Sequence, residues 1–182
     1  MEGRVKGSCL MTVVKELRER RDHAEPLVDA DLRSYFDELL LVTKWYPETH
    51  YRRLLQVLSH FVPGVERDPW RWLGRKSAGV DLVEIYYTMV DRSNPWATLE
   101  RLPRLWKLFH DSGSADVGYQ GPNRAQVLIR DYVWLDDRFG SFQAGYMEKM
   151  LRLSGATGIQ VRVLDSGRFG VRSARWQATW SA

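Results

Sequence analysis

Apolar positions follow a helical period through roughly the first 110 residues and a period of two in much of the remainder. The change falls within one stretch, Pro103 to Trp134. There Leu105, Trp106 and Phe109 share a helical face, while Arg104, Lys107 and Asp111 lie off it. Pro103 suits a first helical position, where its missing N–H costs nothing, and Gly113 is a natural stop. Beyond it, Ala115, Val117 and Tyr119 alternate with polar neighbours, as do Ala125, Val127 and Ile129. The two runs flank Gly121-Pro122-Asn123, so the pattern predicts a β-hairpin.

Upstream the pattern predicts helices. Leu10, Val13, Val14 and Leu17 repeat at helical spacing over residues 5–21, with Ser8 as candidate cap and Cys9 beside it. A second helix is expected after Asp29 or Asp31, carrying Leu32, Tyr35, Phe36, Leu39 and Leu40. Pro47 opens a third, whose stripe is Tyr51, Leu54, Leu55, Leu58 and Phe61. Asp68-Pro69 pairs a cap with a first-turn proline. The segment from Trp70 to Val90 is apolar on more than one side, which marks a helix that is either central or shared with a second subunit. Gly74 and Gly79 would permit close approach of another backbone. A short helix around Trp96–Leu102 leads back to Pro103.

Downstream, Asp136-Asp137 can cap a helix that turns Phe139, Phe142, Tyr146, Met150 and Leu153 inward. Ile159, Val161 and Val163 alternate as one strand, and Ala174, Trp176, Ala178 and Trp180 as another. The order predicts an α+β fold, N-terminal helices followed by a small antiparallel sheet packed against helices. We read residues 1–182 as one domain, with a helical part over 1–66 and a core over 67–182.

Composition narrows the function classes. An apolar share of 44% supplies a packed core, and one cysteine in 182 residues excludes an internal disulfide framework. No apolar run approaches a membrane span of roughly 20 residues, so a soluble, cytoplasmic protein is expected. The net charge of +4 raises the question of nucleic acid. The basic residues are interleaved with acids, as in Lys15-Glu16-Leu17-Arg18-Glu19-Arg20, which reads as a solvated helix face, and no nucleic-acid partner is expected.

Candidate chemistry is sparse. His23, His50, His60 and His110 lie in no nucleophile or zinc motif, and Gly74-Arg75-Lys76-Ser77 lacks the upstream glycine of a phosphate loop. Cys9 is read as a packing residue rather than an activated thiol. Asp136-Asp137 is read as a cap rather than a cation site. The eight tryptophans and eight tyrosines remain. Trp72, Trp106, Trp176 and Trp180 lie on apolar stripes as core anchors. Trp45, Tyr46, Tyr132 and Trp134 stand at junctions, where aromatic pockets form. Trp45, Tyr46, Tyr86, Trp106, His110, Tyr132 and Trp134 form the candidate ligand lining.

Several strings, taken in order, carry a resemblance. They are Val5-Lys6-Gly7-Ser8, Trp45-Tyr46-Pro47, Leu73-Gly74-Arg75 with Ala78, Pro103-Arg104-Leu105-Trp106 with Asp111 and Gly113, and Ser154-Gly155-Ala156. Together they resemble the myxobacterial paralogous family of unknown function over nearly the whole chain. From about Gly74 the chain is also similar to the four-vinyl-reductase-type domains, whose wider fold group includes haem nitric-oxide sensors and the core subunits of the vesicle-tethering TRAPP complex. The resemblance implies an α+β fold, frequent dimerisation, and a cavity between helices and sheet that holds small or acyl ligands in some members. It transfers no catalytic residue. The stretch from Val163 to Trp176 lacks the cysteines of the four-vinyl-reductase-type domains, and the Tyr-x-Ser-x-Arg motif of the haem sensors is absent. No cofactor or metal is therefore expected.

The expectation is a non-enzymatic regulatory module that binds a small hydrophobic ligand or a protein partner, as a homodimer. Trp70, Leu73, Val80, Val83 and Tyr87 are the candidate dimer contacts. A TRAPP-like scaffold engaging a small GTPase or other protein, and an enzyme acting on a hydrophobic substrate, are the alternatives.

Overall fold

In the computed structural model, which describes residues 2–167 and 172–181, two helices cross with their backbones in contact. α4 (Pro69–Val80) starts where Asp68 Oδ1 accepts from Arg71 N at 3.0 Å, with Pro69 at its first position. α7 (Asp137–Leu153) starts the same way, Asp136 Oδ1 accepting from Phe139 N at 2.8 Å. A Cβ added to Gly74 would lie 1.9 Å from Phe142 O, and one added to Gly145 would lie 1.9 Å from Arg71 O. Only glycine at both places allows this crossing. Glu148 of α7 then bridges Arg71 and Arg75 of α4, at 2.6 and 3.2 Å.

The remaining elements surround this pair. β1 (Arg4–Lys6) pairs antiparallel with β2 (Trp45–Pro47), Val5 opposite Tyr46. Between them run α1 (Gly7–Arg18), α2 (Arg21–Ala24) and a 3-10 turn over Ala30–Phe36. α3 (Glu48–Leu58) buries Tyr51, Leu54, Leu55 and Leu58 against α1 and the core. α5 (Pro95–Glu100) is capped by Asn94, and α6 (Leu102–Phe109) buries Leu105, Trp106 and Phe109.

β3 (Ser114–Gly121) and β4 (Arg124–Arg130) form the expected hairpin, with Asn123 in the left-handed region. β5 (Thr157–Asp165) and β6 (Ser173–Ser181) complete a four-stranded antiparallel sheet in the order β3-β4-β6-β5. Ala125, Val127 and Ile129 of β4 and Ala174, Trp176 and Ala178 of β6 are fully buried. The Trp176 indole donates to Gly140 O at 2.9 Å, tying the sheet to α7. The fold is α+β, as the patterning predicts.

Four local expectations are corrected. The cap of α1 is Lys6, without a side-chain bond; Ser8 is the second residue of the helix and buried, its Oγ 3.3 Å from Tyr86 Oη. The second helix is a 3-10 turn ending at Phe36, and Leu39 is 85% exposed. The Trp70–Val90 segment is not one helix. α4 ends at Val80 and continues as a π-helical turn over Asp81–Ile85, closed by Tyr86 N on Asp81 O at 2.7 Å, then a 3-10 turn over Tyr87–Met89. Leu73 and Ala78 of α4 are buried and the helix packs on α7, whereas Val83, Ile85 and Tyr87 beyond it stay exposed. Gly74 serves that crossing, whereas a Cβ on Gly79 would meet only Lys149 Cε, at 3.5 Å.

Gly74→Ala and Gly79→Ala should therefore differ in sign. The first is expected to lose roughly 1–3 kcal/mol or more through overpacking. The second should be neutral or gain up to about 1 kcal/mol in helix propensity. Urea unfolding of both variants measures the difference.

Candidate functional site

α6 and α7 converge above the junction of α1, α3 and the π turn, and the space between them is nearly filled by aromatic rings. Trp106, Phe109, Tyr132, Trp134, Phe139, Phe142 and Tyr146 line a cavity of about 30 Å³, close to the volume of a single water. The rings pack mainly edge to face or tilted: Trp106 on Tyr132 at 4.8 Å, Tyr132 on Phe139 at 4.9 Å, Trp134 on Phe139 at 5.6 Å. Such contacts stabilise beyond area burial and hold the wall rigid.

Two carboxylates sit beneath this wall. Glu48, at the first turn of α3, is 1% exposed. Its Oε1 accepts from the Tyr132 hydroxyl, and its Oε2 lies 3.3 Å from His110 Nδ1. A helix N-terminus favours the negative charge. Asp81 is 2% exposed and receives the Tyr146 hydroxyl on Oδ2 at 3.3 Å. Its Oδ1 has no hydrogen-bond partner among the described residues, and neither has Trp134 Nε1. Burial pushes the Asp81 carboxyl up from 3.8 to about 7, partly opposed by the Tyr146 bond. Burial also pushes the phenols of Tyr51, Tyr132 and Tyr146 well above their ordinary range, so they stay protonated as donors. The Cys9 thiol is raised by burial and by the Asp81 and Glu48 charges, the opposite of an activated nucleophile.

The structure brings four of the seven predicted lining residues together: Trp106, His110, Tyr132 and Trp134. His110 lies against Trp106 at 4.2 Å. Tyr86 stands just behind, edge-on to Phe109 at 5.0 Å. Trp45 and Tyr46 lie elsewhere. Lys6 Nζ sits 4.4 Å over Trp45, and the Tyr46 hydroxyl accepts from Leu41 N at 3.0 Å. Glu48, Asp81, Tyr51, Gln143 and Tyr146 were missed as site residues. Asp136 acts as the α7 cap, as expected. Of the dimer candidates, Val83 and Tyr87 are 52% and 62% exposed, and Trp70 and Val80 are half-buried. Leu73, 1% exposed, packs within its own chain and has no face to offer a second one. Among the described residues no group of three His, Cys, Asp or Glu is placed to hold a metal. No helix there is long and apolar enough to cross a membrane.

Between about pH 4 and 7 the folded protein keeps the Asp81 proton while the unfolded chain releases it, so stability falls as pH rises through that window. Asp81→Asn should flatten the fall and at pH 8 exceed the parent by up to about 4 kcal/mol. Urea unfolding at pH 4 and pH 8 checks this. A constant difference between the two proteins would show that Asp81 titrates normally in the fold. Trp106→Ala should cost about 3–5 kcal/mol at any pH, the usual cost of emptying a buried aromatic site.

No family model and no curated protein matches the chain. Solved structures do. An oxygen-binding H-NOX domain related to soluble guanylate cyclases, in its oxygen complex, is 14% identical with a TM-score of 0.68, covering 97% of this chain and 95% of that one. A structure bearing on the mechanism of H-NOX activation is 13% identical with a TM-score of 0.71, covering 97% of both chains. A mutant Fe(II) unliganded H-NOX protein from K. algicida is also 13% identical, with a TM-score of 0.68 over 97% of both. The likeness extends over the N-terminal helices as well as the C-terminal half. This chain has the H-NOX fold.

Proposed function

We propose that the chain is a non-enzymatic regulatory module of the sensor type, which works by binding rather than turnover and does so without haem. The observation that carries this reading is the closed aromatic cavity. Structures sharing the fold are described by haem distortion and by oxygen binding. Here about 30 Å³ is free, against the roughly 300–1,000 Å³ of a small-molecule site. No Lys or Arg lines it among the described residues, so nothing there would neutralise two haem propionates. Two and four residues after Tyr132 stand Trp134, whose indole fills the wall, and Asp136, a carboxylate already used as a cap. The residues do not fit haem.

Turnover is disfavoured on the same ground. Glu48, Asp81, Cys9 and Tyr132 are each at most 7% exposed, so little of any of them meets solvent. The two unpartnered atoms on residues lining the cavity, Asp81 Oδ1 and Trp134 Nε1 among the described residues, support a small, mainly apolar ligand with one polar group, admitted when the Trp134 indole moves. The self-filled interior supports the second reading, a scaffold whose partner is a protein. A homodimer through the exposed run Val83, Ile85 and Tyr87 is part of this proposal.

Freshly purified protein should show no Soret band, and native mass spectrometry should show a dimer. A co-released small molecule favours the ligand reading, and bare chains favour the scaffold. One haem per chain overturns the proposal. Tyr87→Glu should melt within about 2 °C of the parent, as surface changes do, yet run as a monomer in light scattering. A parent that is itself monomeric at micromolar concentration removes the dimer.

A further inference from the structure

Outside the aromatic wall, on the other side of Trp134, lies a cleft of about 330 Å³ between α3 and the start of α7. That volume falls in the range of sites for drug-sized ligands. Its floor is two indoles, Trp70 and Trp134, edge to face at 5.8 Å. Two guanidinium groups stand over them: Arg52 Cζ is 5.9 Å from the Trp134 ring, and Arg138 Cζ is 5.7 Å from the Trp70 ring.

The charges in the cleft are unevenly committed. Asp29 is held by Arg53, which bonds its Oδ2 at 2.6 and 2.8 Å and also reaches Asp31. Asp136 uses Oδ1 to cap α7. Arg138 bonds only the amide oxygen of Gln56, and Arg52 makes no hydrogen bond or ion pair with a described residue. Two planar cations thus face the cleft without an acidic partner among the described residues; Arg52 keeps all its donors free there, and Arg138 all but the one given to Gln56.

The geometry points to a second binding site, for a small anion carried on a flat aromatic ring system. The ring would lie against the half-buried Trp70 indole, with Trp134, 2% exposed, supporting it from beneath, and the anion would take the forks of Arg52 and Arg138. Planar rings stack on indole, and guanidinium pairs bind phosphate or carboxylate in bidentate fashion. A ligand of mononucleotide size suits the volume. The site shares only Trp134 with the inner cavity and goes beyond the function proposed above; its failure would leave that reading intact.

Tryptophan fluorescence and calorimetry on the full chain test it, with guanosine and adenosine monophosphate as phosphate probes and indole-3-acetate as a carboxylate probe. Adenosine and inorganic phosphate serve as the ring alone and the anion alone. At least one charged, planar probe should bind with Kd below about 1 mM, and at least about tenfold more tightly than either part alone. Arg52→Ala and Arg138→Ala should each weaken it about tenfold or more. Both residues are exposed, so the variants should melt within about 2 °C of the parent. Tighter binding of the monophosphates assigns the anion as phosphate; tighter binding of indole-3-acetate assigns it as carboxylate. The proposal is overturned if no charged probe binds in the millimolar range, or if binding is unchanged in both arginine variants.

Discussion

Everything else in the molecule is placed by the backbone contact between α4 and α7. With Gly74 on Phe142 O and Gly145 on Arg71 O, the two helix axes lie closer than side chains would permit. That closeness sets Phe142 and Tyr146 against Gly74 in the middle of α4, and the Tyr146 hydroxyl reaches Asp81 where the chain leaves the helix. It also lets Arg71 reach Val161 O at 2.6 Å, which joins the helical pair to the sheet through a charge-assisted bond. A looser crossing would part the aromatic wall and expose the acids beneath it.

The interior that results is unusual in its balance. Two carboxylates, a thiol and several phenols lie under a layer of rings with almost no free space. In a low-dielectric setting such groups are costly unless paired. Glu48 is paired twice, through Tyr132 and His110. Asp81 is paired once, and holding its proton lowers the cost of burial. The fold that in H-NOX structures is described with haem here encloses a polar network of its own side chains.

Much of the fold was legible because it is written locally. Asp68 and Asp136 announce helix starts through short side chains one position before Pro or a helical run, and both bond the backbone as such residues do. The alternation shows which face is buried in β4 and β6, whereas in the outer strands Tyr119 and Val163 stay exposed. The site was half legible: aromatic residues at junctions led to Tyr132 and Trp134, but the same rule included Trp45 and Tyr46, which the β1–β2 pairing takes elsewhere. Glu48 and Asp81 were illegible, because a carboxylate near a helix end reads as solvent-facing until its distant partners are known. The partner of Gly74 was hidden for the same reason, since Phe142 lies far along the chain. Leu39 misled by continuing a helical period past the point where the backbone leaves it.

The π-helical turn after Val80 has a consequence for how this chain can vary. A π turn is an α-helix holding one residue more than its winding accommodates. The surplus lets Asp81 and Leu82 both point inward while Val83, Glu84 and Ile85 all reach solvent. Losing a single residue there would restore even winding and carry the following segment round by about 100°. The apolar run of Val83 and Ile85 would swing away from its present exposed face. Length, and not only residue identity, is therefore constrained between Val80 and Tyr86: substitutions are absorbed one side chain at a time, while a one-residue deletion turns the whole following segment at once.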